Sequence, residues 1–184
     1  MNIIRTDRLD LVPAPTEFIE LLVANEYARA GDLLNIIVTD GWPNDDDARA
    51  GLSFHLKAIQ SDSAELLWRI RLIVLRSIRT VIGSINLKGL PDNSGTVEIG
   101  WGVVAEYRRQ GIAVEASEVV MRWAASQPRV RRIIATVPAE NLASIGVAER
   151  LGMHLTSELR RNLPVWELNL NQGASNNSLN RSAS

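Results

Sequence analysis

The sequence contains no cysteine and only two histidines, His55 and His154, in 184 residues. A chain without a thiol forms no disulfide and no thiolate metal site, and it cannot use a cysteine nucleophile. Two isolated histidines offer little to a multi-histidine metal centre or to a serine–histidine relay. We therefore expect both histidines to be structural or surface residues, and the sequence predicts no metal site.

Long apolar runs and an excess of charge of one sign are also missing. The net charge is −1, with 22% charged and 46% hydrophobic residues, which is typical of a globular protein and favours neither nucleic acid nor a membrane as partner. No stretch reaches the roughly 18 apolar residues of a spanning helix. The first ten residues are charged where a secretory signal is apolar, so we expect a cytoplasmic protein.

The length suits one domain with a substantial core. We expect this domain to cover residues 1–170, and the Asn- and Ser-rich residues 171–184 to form a disordered tail. Hydrophobic periodicity and turn residues predict, in order, a strand (8–14), a helix (16–28), a second helix after the loop GWPNDDD, and two strands between 65 and 88 separated by the turn RSIR. They then predict a strand (96–104), a helix (111–126), a strand (133–137), a helix (141–152) and a closing strand pair (154–170).

This order of elements predicts an α/β fold with a mixed sheet. The strand–helix–strand unit requires a right-handed crossover and parallel pairing between 96–104 and 133–137. In the loop before the second helix, Asn44 can cap the helix, and the acidic residues 45–47 lie in its electropositive first turn. A cation site is the alternative interpretation of this acidic run.

The segment VAEYRRQGIAVEAS, residues 103–116, joins a strand to a helix through two arginines and a glycine. Gly111 lets backbone N–H groups approach a ligand, and the N-terminus of the following helix attracts anions. The segment therefore predicts a phosphate-binding turn, with a plain connection and two solvated arginines as the alternative. The helix that starts at Asn141 also follows a parallel strand, so both turns lie at the same edge of the sheet.

Alternate residues of the strand TVEIGWGVV share a face. Thr96, Glu98, Gly100 and Gly102 form a face with little side-chain volume, which leaves room for a small substrate beside a carboxylate. Glu98 can then act as a general base. In the alternative interpretation, Glu98 lies on a half-exposed face and the glycines only bend the strand.

These features together resemble those of a known family. The pattern Arg108-x-x-Gly111-x-Ala113 after a strand is similar to the acyl-CoA-binding motif of the GNAT N-acetyltransferase superfamily, and ENLASIGVAERLGM (140–153) resembles its later helix motif. With the opening RTDRLDLVP and the glutamate of TVEIGW, the chain most resembles the branch that includes ribosomal-protein alanine N-acetyltransferases. The resemblance implies the GNAT fold: a mixed, mostly antiparallel sheet with a splayed parallel strand pair and flanking helices.

The resemblance also implies a reaction and its partners. A primary amine, of a protein N-terminus or of a small molecule, attacks acetyl-CoA directly without an acyl-enzyme. Acetyl-CoA is then a cosubstrate, the amine acceptor is the other partner, and no metal takes part. Members of the family are often homodimers.

The resemblance implies roles for particular residues around the cofactor. The diphosphate is cradled by backbone amides, with charge added by Arg108; these amides belong to Arg109, Gln110, Gly111, Ile112, Ala113 and Val114. The pantetheine arm pairs with the backbone of Val103 and Val104. Asn141 is a helix cap, a CoA contact, or both.

At the reacting end, the resemblance implies that Glu98 is the general base, directly or through water. Many members carry a tyrosine acid seven residues after the asparagine, but this chain has Ala148 there. Ser144 is a substitute for that acid or an anchor for a water. Trp42, beside Pro43, is a candidate for the wall of the acceptor pocket.

Two other functions compete with this one. A dinucleotide-binding module matches Gly111-x-Ala113-x-x-Ala116, but two of the three glycines of that fingerprint are replaced, and too little chain follows for a doubly wound sheet. A non-catalytic acyl-CoA-binding or sensing protein would keep the phosphate turn without the acid. Turnover that depends on Glu98 separates an enzyme from this second alternative. The sequence contains no readable code for the acceptor amine.

Overall fold

The fold is known from a computed structural model, which describes residues 2–39, 42–43, 46–168 and 170, with the backbone alone at 46–49. The described residues form an eight-stranded sheet in the order β1-β2-β3-β4-β5-β6-β8-β7. The strands are β1 (Ile4–Arg5), β2 (Leu9–Pro13), β3 (Ile70–Leu75), β4 (Thr80–Leu87), β5 (Thr96–Val103), β6 (Arg132–Thr136), β7 (His154–Arg160) and β8 (Leu163–Leu168). The helices are α1 (Thr16–Val23), α2 (Tyr27–Leu34), α3 (Asp46–Ser61), α4 (Ile112–Ala125) and α5 (Leu142–Arg150), with short 3-10 segments at Ser63–Trp68 and Ala105–Tyr107.

The parallel strand pair of the sheet separates along its length. β5 pairs with β6 from Thr96 to Glu98, opposite Arg132 to Ile134. Beyond this point β5 continues along β4, and β6 continues along β8. The other neighbouring strands are antiparallel, so the predicted mixed sheet with a splayed parallel pair is confirmed. The separation leaves a gap inside the sheet, where one edge of β5 has no partner strand.

Helix α4 places its N-terminus at this gap. It packs on β4, β5 and β6 through a stripe of small and β-branched residues, since Ala116, Val120 and Ala124 are each at most 1% exposed. This spacing of four residues puts the stripe on one side of the helix. Near the other end of the helix, the Trp123 ring packs against Trp68, with 4.9 Å between the ring centroids.

The helical segment before β3 differs from the prediction. The helix predicted over 16–28 is α1, which ends at Val23 because Asn25 adopts a left-handed conformation with φ of 60°. Asparagine tolerates this conformation better than most residues. The second helix, α2, extends to Leu34 and was not predicted. Hydrophobic periodicity does not reveal such a break, because the apolar pattern continues on both sides of it.

The strands predicted between residues 65 and 88 are confirmed as β3 and β4, but β3 begins only at Ile70. The residues before it form a 3-10 turn, which starts where the Asp62 carboxylate accepts a hydrogen bond from the amide of Ala64 at 2.9 Å. β3 is buried at Ile70–Val74 without interruption. Since successive residues of a strand point to opposite faces, both faces of β3 are covered.

Two predictions lie wholly or partly outside the described residues. The backbone of Asp46 and Asp47 begins α3, but Asn44, Asp45 and the acidic side chains of this run are not described. The predicted tail, residues 171–184, is likewise outside the description. Among the described helices, none is long and apolar enough to cross a membrane.

Candidate active site

The turn between β5 and α4 is built around two left-handed residues. Arg109 has a φ of 61° and Gly111 a φ of 77°, and Gly111 directly precedes the first residue of α4. Turns of this kind direct successive N–H groups toward a common point and form an anion-binding concavity. The carbonyl of Gly111 accepts a hydrogen bond from the amide of Glu115 at 3.0 Å, which closes the first turn of the helix.

The backbone amides of residues 109–114 are not used in the described part of the fold. None of them donates a hydrogen bond to another described residue, whereas the flanking amides of Arg108 and Glu115 donate to Ala105 and Gly111. Such a run at the N-terminus of a helix of 14 residues is complementary to an anion with several oxygens. The turn therefore has the donors that the predicted phosphate site requires.

The unpaired edge of β5 offers a second set of backbone groups. The amide of Val104 donates to the carbonyl of Ile82 at 2.9 Å, and its carbonyl accepts from the following 3-10 turn. The carbonyl of Val103 accepts from Nε of Arg108 at 2.8 Å. Because backbone groups alternate in direction along a strand, the amides of Val103 and Trp101 face the gap. The amide of Val103 is therefore free to pair with a pantetheine arm in the gap, as predicted. The backbone groups of Val104 are already paired, and the other amide that faces the gap is that of Trp101.

Both sets of groups border one cleft of about 860 Å³, a volume that suits a cofactor-sized ligand. Of the predicted cofactor residues, Val104 and Gln110 do not line this cleft; those that do are Val103, Arg108, Arg109, Gly111, Ile112, Ala113, Val114 and Asn141. Ser144 lines it too. The side chain of Asn141 accepts a hydrogen bond from the amide of Ser144 at 3.0 Å, so the cap interpretation is confirmed, and the contact with a cofactor stays a prediction.

A smaller cavity of about 420 Å³ adjoins the cleft. Ser84 and Asn86 of β4 line both spaces, so the two meet at this strand. Trp42, the predicted acceptor-pocket residue, lies in the wall of the smaller cavity and is 3% exposed. Phe54 of α3 and Lys88 complete its aromatic and charged lining.

His55 also lines the smaller cavity, which the sequence did not predict. It is 7% exposed. Burial, together with the positive charges of Arg69 and Lys88, lowers the pKa of His55 to about 4, so the imidazole is neutral at neutral pH. Its Nδ1 is buried and has no hydrogen-bond partner among the described residues.

Glu98 lies where β5 and β6 separate and is 6% exposed. Its carboxylate accepts hydrogen bonds from Lys88, from Oγ1 of Thr136 at 2.6 Å, and from Nη2 of Arg161 at 2.7 and 2.8 Å. Burial by itself raises the pKa of Glu98, but these hydrogen bonds and the charge of Lys88 outweigh burial and hold it below its usual value. Glu98 is therefore ionised at neutral pH, and it is a weaker base than a free glutamate.

Comparison with known proteins identifies the family that uses this arrangement. Residues 8–154 match the family model of the acetyltransferase (GNAT) domain. The chain belongs to the GNAT family. This result confirms the predicted family and enzyme class, and the dinucleotide-binding alternative is wrong.

Individual relatives agree with the assignment. The uncharacterized N-acetyltransferase YjdG of Bacillus subtilis (strain 168) is 32% identical over 116 residues, which cover 62% of this chain and 67% of that protein. YnaD of the same organism, also an uncharacterized N-acetyltransferase, is 27% identical over 149 residues, 80% of this chain and 81% of that protein. Among solved structures, the ribosomal L7/L12 alpha-N-protein acetyltransferase RimL in complex with coenzyme A has a TM-score of 0.61 at 17% identity, and the match covers 91% of this chain and 97% of that one. At this identity the likeness shows the GNAT fold.

In this GNAT acetyltransferase, the face of β5 that carries Glu98 is more crowded than the sequence predicts. A Cβ atom at Gly100 would lie 2.8 Å from Oδ1 of Asn86, so a side chain of the neighbouring strand occupies the space above this glycine. The expectation of an empty groove is therefore wrong at Gly100. Gly102 does line the larger cleft. One strand alone cannot reveal how far the side chains of its neighbour reach.

Glu98 itself lines neither cavity. Lys88, which does line the smaller one, binds the Glu98 carboxylate and so connects it to that space. Ala148, at the position of the usual tyrosine acid, is fully buried and cannot reach a leaving group. Ser144 is the hydroxyl that α5 presents to the cleft instead.

The sequence analysis also missed the polar side of β4. Ser84, Asn86 and Lys88 alternate with apolar residues in SINLK, and this period of two puts all three on one face. Arg150 of α5 is a further cleft residue, and its helical spacing from Val147 is the signal that could have found it. Among the described residues, no cluster of three or more histidine and carboxylate side chains could hold a metal ion.

Proposed function

We propose that this enzyme transfers the acetyl group of acetyl-CoA to a primary amine by direct attack. The observation that supports this most directly is the run of unused amides at 109–114, which borders the same cleft as the unpaired edge of β5. The first feature is complementary to a diphosphate. The second is complementary to the amide groups of the pantetheine arm. RimL, which shares the fold, has coenzyme A bound.

The proposed path of the cofactor follows from these groups. The diphosphate accepts hydrogen bonds from the amides of 109–114, and Arg108 and Arg109 add positive charge. Hydrogen bonds to a charged group contribute about 1.5–3 kcal/mol each, so a few of them suffice for micromolar binding. The arm then runs along β5 and pairs with Trp101 and Val103, as an added strand would.

This path directs the thioester toward the point where β5 and β6 separate. The acceptor amine approaches from the smaller cavity, past Ser84 and Asn86, which border both spaces. The walls of Trp42 and Phe54 suit an apolar or planar part of the acceptor. The neutral imidazole of His55 offers it a hydrogen bond.

The amine nitrogen attacks the thioester carbonyl carbon, the new N–C bond forms, and the C–S bond breaks to release CoA as a thiolate. Glu98 is ionised but too weak a base to deprotonate an ammonium group, so the acceptor reacts as a neutral amine. Attack on the carbonyl carbon makes the nitrogen acidic, and Glu98 then takes the proton of the nitrogen through a water molecule. The amide of Trp101, which is nearer to the point where β5 and β6 separate, stabilises the charge on the carbonyl oxygen, while the carbonyl of Trp101 and the amide of Val103 pair with the arm. The Ser144 hydroxyl, or a water that it anchors, donates a hydrogen bond to the departing thiolate, which then takes up a proton from solvent.

Substitution of the base tests the enzyme hypothesis. A panel of peptide N-termini and small primary amines with acetyl-CoA identifies a usable acceptor, and Glu98→Gln should then lower kcat by about 10²- to 10⁴-fold, the usual contribution of a general base. The Kd for CoA, measured by calorimetry, should stay within about twofold, because Glu98 does not line the cleft.

Thr136→Val is the matched control, because it removes one hydrogen bond to Glu98 but keeps the carboxylate, and it should retain most of the rate. Full activity of Glu98→Gln would exclude Glu98 as the base. Tight CoA binding by the wild-type protein without turnover of any amine would favour the non-catalytic alternative.

A further inference from the structure

The turn with the unused amides is held from outside by the N-terminal part of the chain. Arg8, directly before β2, donates from Nη2 to the backbone carbonyl of Gln110 at 3.0 Å. The same guanidinium donates from Nε and Nη2 to the carboxylate of Glu115 at 2.8 and 2.6 Å. Oγ1 of Thr6 also donates to Glu115. One arginine thus connects the turn to the first turn of α4.

The contact with Gln110 has a geometric consequence for the next residue. The carbonyl of Gln110 and the N–H of Gly111 belong to one peptide unit, and in a trans unit these two groups point in opposite directions. Arg8 holds the carbonyl on the side of the N-terminal strands. The N–H of Gly111 is therefore directed away from those strands, and Gly111 lines the cleft whereas Gln110 does not.

We propose that Arg8 is a positioning residue for the cofactor: it fixes the peptide unit between Gln110 and Gly111 so that the amides of the turn are oriented before the diphosphate binds. The proposal rests on the proposed binding of acetyl-CoA. A peptide unit next to glycine rotates easily, because glycine occupies left- and right-handed conformations about equally well. Without the anchor, binding has to include the cost of ordering the turn.

Glu115 keeps the anchor in place. Partial burial raises the pKa of Glu115, but the hydrogen bonds from Thr6 and Arg8 outweigh burial and lower it below its usual value, so the carboxylate is ionised at neutral pH. The Arg8 side chain is 44% exposed. An exposed ion pair adds little to global stability, so the effect of Arg8 on the turn can be measured without unfolding the protein.

The test compares two acetyl donors that differ in the diphosphate, acetyl-CoA and S-acetyl-pantetheine. In Arg8→Gln, the Kd of CoA and the KM of acetyl-CoA should rise about tenfold, because binding then includes the cost of ordering the turn. The kcat/KM with S-acetyl-pantetheine should stay within about twofold. Arg5→Gln is the matched control, because Arg5 belongs to the same N-terminal segment, is 71% exposed and pairs with Asp10 at 3.5 Å. This substitution should change neither the Kd of CoA nor the kinetic constants measured with either acetyl donor.

The outcomes are distinct. If wild-type protein binds no CoA, the proposed function fails and this inference fails with it. If wild-type protein binds CoA and Arg8→Gln binds it equally tightly, or loses both donors to the same extent, only the inference is overturned. Should Arg8→Gln not fold, Arg8→Lys replaces it: lysine keeps the charge but lacks the fork that reaches Gln110 and Glu115 together. CoA affinity that Arg8→Lys fully retains would overturn the positioning role.

Discussion

At the scale of single residues, Gly111 combines a left-handed conformation with a position in the proposed diphosphate site. Its φ of 77° is nearly the same as that of Gly152, with 75°, at the end of α5. A Cβ at Gly111 would meet only Nη2 of Arg8, at 3.7 Å. The cost of a side chain at either glycine is therefore conformational and not a clash, which makes the two positions a matched pair.

Gly111→Ala and Gly152→Ala should each lower the free energy of unfolding by about 1–2 kcal/mol, because an L-residue is strained in this conformation. Only Gly111→Ala should also weaken CoA binding, by about tenfold, since relief of the strain turns the amides of 109–114 away from the cleft. Urea unfolding and calorimetry measure the two quantities. Equal losses of CoA affinity in both variants, or none in Gly111→Ala, would contradict the role of the turn.

At the scale of elements, local features and the parallel pairing of β5 with β6 were predictable, whereas the side-chain contacts between neighbouring strands were not. Helix α4 and its turn follow from the spacing of Ala116 and Val120 and from Gly111, which are close together in the sequence. The filling of the space over Gly100 depends on Asn86, a residue of another strand. The break between α1 and α2 depends on the conformation of Asn25, which composition and periodicity do not specify.

The pairing of β4 with β5 provides a prediction of its own. A methyl group at Gly100 would displace the end of the Asn86 side chain, whereas a methyl group at Gly83 would lie 2.1 Å from the backbone carbonyl of Gly102. Gly100→Ala should therefore fold and raise the KM of the acceptor amine about three- to tenfold, with the Kd of CoA within about twofold, because Asn86 borders both cavities. Gly83→Ala should lose more than about 2 kcal/mol of stability, because a backbone cannot move aside as a side chain can.

Steady-state kinetics, calorimetry and urea unfolding of the two variants check these outcomes. A Gly100→Ala enzyme with an unchanged KM for the amine would show that Asn86 does not face the acceptor. A Gly83→Ala protein as stable as the wild type would contradict the close approach of the two strands.

At the scale of the whole molecule, the two cavities explain why the sequence suggests a cofactor site but no acceptor. The larger cleft, where we propose that the cofactor binds, is bordered by two continuous motifs, one around Gly111 and one around Asn141, which a sequence displays directly. The smaller cavity combines residues from separate segments, such as Trp42, Phe54 and Ser84. Its lining comes from the chain at Trp42, from α3 and from β4, so no continuous stretch of sequence encodes its shape.

The most direct measurement is a titration of ¹⁵N-labelled protein with coenzyme A, followed by NMR. We expect the amide resonances of residues 109–114, Trp101 and Val103 to shift saturably, because their N–H groups acquire hydrogen-bond partners, and the backbone amide of Gly152 to stay in place. Binding that leaves the resonances of 109–114 unmoved, or no binding at all, would contradict a diphosphate held by the backbone of this turn.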